Sequence, residues 1–386
     1  MKNICIVSEC QQVLGVGGTE TVSYLLKNEL IKNGYHVWSM YFIPKASKTE
    51  IDIEFPEKQD ICSNENIRTL IDAIKKHKID IIISQGAPFK GLLELCIEAK
   101  RANKCKLVYC YHFNPLKANR EFNDYKERYL LNRSFILKPL YSLYFEFKRH
   151  FFIKRDIKFF KEIEIAEVDA FISLNKDFTN FLRGLYPNEF KERFHTIPNP
   201  IVLDDNELIS EKGNIILFVG RLTYQKRLDR LLNIWKKMHH TFKNWKIVVV
   251  GDGEYANEYQ RITEKLQLKN VDFVGQKASE EYFKKSKIIC MTSSHESFGM
   301  VLLEGQKYGC IPIAYNSFES ASDIIRHGYN GILITPFNEQ EYINGLKTLI
   351  MDESIRESLA NNSKDSVKKF DAKIIVKKWI HLLETL

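Results

Sequence analysis

No apolar run in these 386 residues is long enough to cross a bilayer. Stretches such as Ile79–Ser84 and Ile247–Gly251 fall far short of the ~18–20 residues that a membrane helix needs. The opening Met1-Lys-Asn-Ile-Cys-Ile-Val-Ser8 lacks the longer apolar core and small-residue cleavage site of a signal peptide, and it leads straight into a strand-like pattern. Cysteine occurs eight times, at 5, 10, 62, 96, 105, 110, 290 and 310, yet without a CxxC pair or a Cys/His cluster at zinc spacing. Six of these thiols lie in or beside apolar stretches, where a free thiol behaves as a small hydrophobe. Internal repeats and low-complexity tracts are missing as well. These absences exclude a helical membrane protein, a disulfide-stapled scaffold and a structural zinc module. The expected compartment is the reducing cytoplasm.

What is there is the composition of a soluble globular protein, 44% hydrophobic and 27% charged. The length exceeds one ordinary core and suits two domains of roughly 150–200 residues. Short apolar strands alternate with helical patterns, so the expected fold class is α/β, with parallel sheets covered by helices on both faces. In the first half the expected strands are Ile4–Ser8, Val37–Phe42, Ile79–Ser84, Lys106–Tyr111, Ala170–Leu174 and Phe194–Ile197, with helices such as Thr19–Asn33 and Asn64–His77. The alternation restarts after Lys212. Its strands are Ile215–Val219, Lys246–Val250, Val271–Val274, Ile288–Thr292, Ile311–Tyr315 and Gly331–Ile334. Helices are expected at Leu228–His239, Glu254–Gln267, Glu280–Ser286 and Gly299–Tyr308. The breaker cluster Ile197-Pro-Asn-Pro200 and the polar segment 204–213 mark the join between the halves.

The net charge of +8 is unevenly spread: residues 117–161 carry twelve Lys/Arg against five Asp/Glu, interleaved with Phe and Tyr. No nucleic-acid-binding motif accompanies that stretch, so nucleic acid is not an expected partner. It suits an anionic membrane face or a pair of amphipathic helices whose aromatics are core, and both readings stay open.

In open parallel sheets ligands bind beyond the carboxyl ends of the strands, so motifs at those ends are the candidates. Gly15-Val-Gly-Gly-Thr-Glu20 follows the first strand and opens a helix, which suits close approach of a phosphate to Gly17 and Gly18. It is neither a P-loop nor a dinucleotide fingerprint, and a plain tight turn explains it equally well. Val219-Gly-Arg-Leu-Thr-Tyr-Gln-Lys-Arg227 places Arg221 and Lys226 on a loop after a strand. Their charges suit a diphosphate and its departure as negative charge builds. Val249-Val-Gly-Asp-Gly-Glu254 could open space for a base or sugar at Gly253, or simply connect strand to helix. Thr292-Ser-Ser-His-Glu-Ser-Phe-Gly-Met-Val-Leu-Leu-Glu304 delivers Glu296 at a helix start and Glu304 further down. Their separation of up to roughly 12 Å is wide for an acid/base carboxylate pair, and it suits two hydroxyl-binding carboxylates at the ends of one extended ligand. A glutamate inside an apolar helix is costly unless something pairs with it. Last, Tyr111-His-Phe-Asn-Pro115 ends a strand with His112, although a lone histidine is more often structural.

Taken together, these residues resemble retaining glycosyltransferase family 4, the glycosyl transferases group 1. The resemblance runs from about Phe218 to Ile334 through Gly-Arg-Leu…Gln-Lys, Val-Gly-Asp-Gly, Phe-Val-Gly, Glu-Ser-Phe-Gly-Met-Val-Leu-Leu-Glu, Gly-Cys-Ile-Pro-Ile-Ala and Asn-Gly-Ile-Leu-Ile. The first half matches mainly at Gly17-Gly18-Thr-Glu. The resemblance implies a GT-B fold, two Rossmann-like domains facing across a cleft: an acceptor-side domain over 1–200, a nucleotide-sugar domain over 201–371, and a helix at about 372–386 packing back on the first.

Carried over by position, it implies that Glu296 binds hydroxyls of the transferred sugar. Backbone N–H groups of Ser297, Phe298, Gly299 and Met300 meet sugar and phosphate, and Glu304 holds the ribose. Arg221 and Lys226 bind the diphosphate, Gly17 and Gly18 approach it, and His112 lies near the reacting carbon. Gly253 and Lys277 line the nucleotide site, with Lys277 on the loop facing the base. No DxD motif is visible, and metal-independent transfer without a cofactor is implied. The chain departs from the family at Gly305-Gln306 and at Ser317-Phe-Glu-Ser-Ala-Ser-Asp323.

The implied reaction is transfer of a hexose or N-acetylhexosamine from a nucleotide sugar, UDP by family habit, to a surface-polysaccharide or lipid-linked glycan acceptor. The implied place is the cytoplasm, peripheral at the inner membrane face if 117–161 touches lipid. The rivals are a GT-B sugar-nucleotide epimerase and a catalytically silent sugar-nucleotide-binding protein.

Overall fold

The computed structural model describes residues 2–15, 17–86, 90–112, 158, 160, 163, 165–203 and 211–386. The basic stretch 117–161 thus lies outside the described residues apart from 158 and 160, as does 204–210. The chain forms two compact units. One comprises Met1–Asn114, Ile157–Val202 and Lys369–Leu386; the other contains Leu203–Lys368.

In the first unit the strands are β1 (Asn3–Cys10), β2 (His36–Ile43), β3 (Asp52–Glu54), β4 (Ile81–Gly86), β5 (Lys106–Tyr111), β6 (Ala170–Ser173) and β7 (Phe194–Thr196). All pair in parallel, in the order β3-β2-β1-β4-β5-β6-β7. The interior of β1 and all of β4 are buried, as near-continuous apolar strands between two helical layers must be. Helices α1 (Gly18–Lys32), α2 (Asn64–His77), α3 (Lys90–Arg101) and α4 (Lys176–Leu185) connect them. Ser63 and Asn175 cap α2 and α4 by accepting the N–H of Asn66 and Phe178, which fixes where those helices start.

The second unit repeats the plan. Strands β8 (Gly213–Val219), β9 (Lys246–Val250), β10 (Val271–Gly275), β11 (Ser286–Met291), β12 (Ile311–Tyr315) and β13 (Ile332–Ile334) form a parallel sheet ordered β10-β9-β8-β11-β12-β13. Its helices are α5 (Leu228–Lys236), α6 (Ala256–Lys265), α7 (Glu280–Lys285), α8 (Met300–Lys307), α9 (Ala321–Ile324), α10 (Glu339–Met351) and α11 (Glu353–Val367). Trp235 of α5 and Tyr342 of α10 are fully buried in its core.

After α11 the chain re-enters the first unit. Ile201 N–H donates to the Phe370 carbonyl at 2.9 Å and Ala372 N–H to the Ile201 carbonyl at 2.8 Å. Helix α12 (Ala372–Thr385), capped by Asp371, then lays Ile375, Trp379 and Leu383 against Leu26 and Leu30 of α1 and the face of β1 and β4 carrying Ile4, Ile6, Ile81 and Ile83. That docking is carried by apolar area, to which each fully buried large side chain adds about 1.5–3 kcal/mol.

Both sheets reverse their winding once, between β1 and β4 in the first and between β8 and β11 in the second. At such a reversal the loops leave in opposite directions, and a crevice opens beyond the carboxyl ends of the strands. The differences from expectation are local. The edge strand β3 was not expected, because three half-buried residues carry no apolar run. Helix α8 begins at Met300, so Ser297–Gly299 form the approach to the helix, and Glu304 lies about one turn inside it.

Candidate active site

Around the β8/β11 reversal the backbone is knitted before any side chain is placed. The loop leaving β8 donates from Gly220 N–H to the Val250 carbonyl (3.0 Å) and from Leu222 N–H to the Asp252 carbonyl (2.9 Å), and Leu222 accepts from Tyr255 (2.9 Å). This approach is possible only with glycine opposite. A Cβ on Gly251, at φ +135°, would strike the Gly220 carbonyl, and one on Gly253 would lie 2.6 Å from that of Leu222. Gly253 therefore has a packing reason to be glycine, independent of any ligand.

A second set of bonds joins the β8 loop to the loop leaving β11. Ser294 N–H donates to the Gln225 carbonyl at 2.8 Å, Gln225 Nε2 to the His295 carbonyl at 2.8 Å, and Thr292 Oγ1 to the Arg227 carbonyl at 2.9 Å. Arg227 itself is spent on Asp229 and the Tyr224 ring. The result is that Lys226, its stem lying against Gly220, meets Glu296. Its ammonium donates to both carboxylate oxygens, at 2.7 and 2.9 Å, with only 19% and 9% of the two side chains exposed.

Two further titratable groups face this pair. His295 is buried, and burial lowers its pKa, with Glu296 opposing and Lys226 adding to that shift. Glu304, half-buried on α8, has its carboxyl raised by burial, partly offset by the charges of Lys307 and Lys226. Lys226 thus pairs with one carboxylate and acts on a second, near an eight-residue helix whose first N–H groups are free of intrahelical partners. Gly299 makes that entry turn. Its φ is +91°, and a Cβ there would sit 2.9 Å from the Phe318 ring. Phe298 is buried, Met300 half-buried, and Arg221, Lys277 and Ser297 are exposed. Among the described residues no group of three or more His, Cys, Asp or Glu could hold a metal ion.

The remaining expected residues belong to the first unit. His112, at the end of β5, is buried, and its Nε2 is hydrogen-bonded to Gln85 Oε1 at the end of β4. Burial lowers its pKa to about 4, so the ring is neutral near pH 7. It lines a void of about 10 Å³ together with Val22, Pro198 and Trp379. Gly17 and Gly18 precede and open α1, and the space a Cβ would take on Gly17 is occupied by the Glu20 carboxylate.

Two families match these two halves by sequence. Residues 16–205 match Glycosyltransferase Family 4, and residues 202–366 match Glycosyl transferases group 1. The chain belongs to the glycosyltransferases. Among curated proteins it is similar to the amylovoran biosynthesis glycosyltransferase AmsD of Erwinia amylovora, 33% identical over 46% of this chain and 50% of that one. It is also similar to the GalNAc-alpha-(1->4)-GalNAc-alpha-(1->3)-diNAcBac-PP-undecaprenol alpha-1,4-N-acetyl-D-galactosaminyltransferase of Campylobacter jejuni, 28% identical over 52% of this chain and 56% of that one. The chain spans about half the length of the curated relatives it matches. Among solved structures, HepE of Anabaena in complex with UDP and glucose superposes with a TM-score of 0.74 at 18% identity, all of both chains covered. The galactosyltransferase WaaB of the lipopolysaccharide outer core gives 0.70 at 16%, again over both whole chains. These likenesses establish the fold as GT-B.

Gln225, Thr292 and Phe318, which pack or bond around Lys226, Glu296 and Gly299, are not among the residues expected from sequence. None carries a distinctive residue type. The available signal was position: each lies in a loop that follows a strand of the second sheet.

Proposed function

We propose that this protein transfers a hexose or N-acetylhexosamine from a UDP-linked sugar to a cell-surface polysaccharide or lipid-linked glycan acceptor, with retention of anomeric configuration. The observation that carries the reading is the Lys226–Glu296 pair at the β8/β11 reversal, with Glu304 on the helix that follows. A diphosphate entering here competes for the Lys226 ammonium. Lys226 and the exposed Arg221 then take the charge that grows on the departing nucleotide. Glu296, released from its partner, accepts hydrogen bonds from hydroxyls of the sugar, while N–H groups from Ser297 to Met300 turn toward the phosphate. Glu304 accepts from the ribose hydroxyls, which compensates the cost of its burial. Lys277 faces the base.

Retention follows if the acceptor attacks on the face the nucleotide leaves, with the departing phosphate taking its proton. No metal and no cofactor enter this scheme. His112, neutral near pH 7, acts as a hydrogen-bonding group. No helix among the described residues is long and apolar enough to cross a membrane. We place the reaction at the cytoplasmic membrane face, with the basic stretch 117–161 against anionic lipid. Liposome flotation tests this, with Lys/Arg in 148–158 neutralised as the control.

The decisive experiment is a screen of nucleotide sugars for donor hydrolysis or thermal stabilisation. It is followed by Glu296→Ala, Arg221→Ala and Lys226→Ala in the donor that responds. Each variant is expected to lose transfer while remaining folded. Normal turnover in all three would overturn the assignment.

A further inference from the structure

Helix α5 is an apolar core helix that carries a buried charge. Leu228, Leu231, Leu232, Ile234 and Trp235 fill the core of the second unit, yet Arg230 among them is only 9% exposed. A guanidinium stays charged at any ordinary pH, and taking it out of water is costly. An apolar side chain of similar volume would pack there without that cost, so packing alone does not account for an arginine. Arg230 instead meets three strand ends. Its Nη1 donates to the Thr292 carbonyl at 3.4 Å, and the guanidinium stands 4.0 Å from the centre of the Phe337 ring and 5.8 Å from that of Tyr315.

Thr292 follows β11, Tyr315 closes β12 and Phe337 lies just past β13, on three neighbouring strands. Phe337 holds φ +62°, a left-handed backbone that is uncommon outside glycine and persists only where the surroundings impose it. Its ring lies 5.5 Å from that of Tyr315, and the two aromatics seat the guanidinium. A costly charge and a costly backbone angle thus meet at one point. Next to it, Thr292 is fully buried and donates from Oγ1 to the Arg227 carbonyl at 2.9 Å, while the Ser293 carbonyl accepts from Ser317 Oγ at 2.9 Å. The chain at 292–293 is therefore gripped by α5, by the β8 loop and by the β12 loop. Glu296 follows three residues later.

We infer that Arg230 is a positioning residue for donor recognition. By fixing the Thr292 carbonyl against the Phe337 and Tyr315 rings, it sets the course of the loop leaving β11, and so the place where Glu296 meets Lys226 and the sugar. Arg230 touches no substrate in this account; it acts through Thr292 and Glu296. The inference rests on the transferase reading for its sugar, but the Lys226–Glu296 pair forms without ligand and reports on Arg230 by itself.

Two measurements on the full-length protein test it. The first is a Lys226→Met and Glu296→Gln double-mutant cycle, read by urea unfolding in the parent and again in the Arg230→Met background. Losing the positioning contact is expected to shrink the Lys226–Glu296 coupling to roughly half or less, whereas a change that only destabilises the unit leaves the coupling as it was. The second compares, by calorimetry, binding of UDP with that of UDP-glucose, UDP-galactose, UDP-N-acetylglucosamine and UDP-N-acetylgalactosamine. For a sugar nucleotide that the parent binds, affinity relative to UDP is expected to fall about tenfold in Arg230→Met, the worth of a hydroxyl hydrogen bond to a carboxylate. Arg230→Lys, which keeps the charge and a donor, is expected to lie between parent and Arg230→Met. Phe337→Gly relaxes the backbone at φ +62° while removing half the seat, so it shows both losses in milder form even if Arg230→Met fails to fold. Coupling at the parent value in a folded variant overturns the inference, as does an equal loss for UDP and the sugar nucleotide. If no sugar nucleotide binds the parent, the transferase reading fails and the coupling alone decides on Arg230.

Discussion

If Lys226 and Glu296 neutralise each other in the unliganded protein, removing one partner must cost more than removing both. Lys226→Met leaves the Glu296 carboxylate, 9% exposed, without its counter-charge. Breaking a fully buried pair from one side costs about 3–5 kcal/mol; because the Lys226 side chain keeps 19% exposure, solvent returns part of that, and about 2–3 kcal/mol is the working figure. For a unit of this size that lowers the melting temperature by roughly 5–10 °C. Glu296→Gln leaves an unpaired ammonium on a longer, wetter side chain, so its penalty is smaller. The double variant carries no orphan charge and recovers most of the loss, for a coupling of about 2 kcal/mol. Urea unfolding of the four proteins reads the cycle. All three variants are expected to be inactive in transfer, so the double variant is the informative one: stable and silent. Additive losses, or a Lys226→Met protein as stable as the parent, would show that the pair does not form in solution. The account of a carboxylate freed by the arriving diphosphate would then fail.

Three further outcomes follow. Gly299→Ala forces a side chain into φ +91° and against Phe318, which should cost roughly 1–3 kcal/mol and disorder the entry to α8, seen as lost nucleotide binding along with a lower melting temperature. For Glu304, burial raises the folded pKa, so stability present below the unfolded value near 4.5 declines as pH rises through the folded one. Glu304→Gln should therefore be slightly more stable than the parent near pH 7 yet bind UDP at least tenfold more weakly; unchanged binding on titration calorimetry would remove Glu304 from the site. For His112, the folded pKa of about 4 lies below the ordinary 6.5, so the stability it contributes is whole above pH 6.5 and is lost as pH falls toward 4. That loss amounts to roughly 3 kcal/mol at most. His112→Gln should flatten the stability curve across that window, and parallel curves would refute it.

Most of the architecture was legible because both halves use short strands buried on two faces. Lys106–Tyr111, Lys246–Val250 and Ile311–Tyr315 match the expected bounds to the residue, each an apolar run that stops at a polar residue or a glycine. The reading failed where structure depends on pairing and not on composition. β3 holds to the sheet edge by its ladder to β2 and by Asp52, whose carboxylate accepts from Thr49 and lies 3.8 Å from Lys27. Site chemistry divides along the same line. Lys226 and Glu296 were visible as charges on separate strand-end loops, but their meeting rests on Gln225 and Thr292, which bond to backbone and leave no pattern in sequence.

The glycines show the limit best. Gly253 and Gly17 look alike as flexible turn residues that admit a ligand, yet each yields its space to the protein itself, to the Leu222 carbonyl in one case and the Glu20 carboxylate in the other. A glycine reports only that something comes close. Which group comes close differs between the two: at Gly253 it is a backbone carbonyl, and at Gly17 it is the carboxylate of Glu20, a negative charge in the first turn of α1, where the helix dipole favours one.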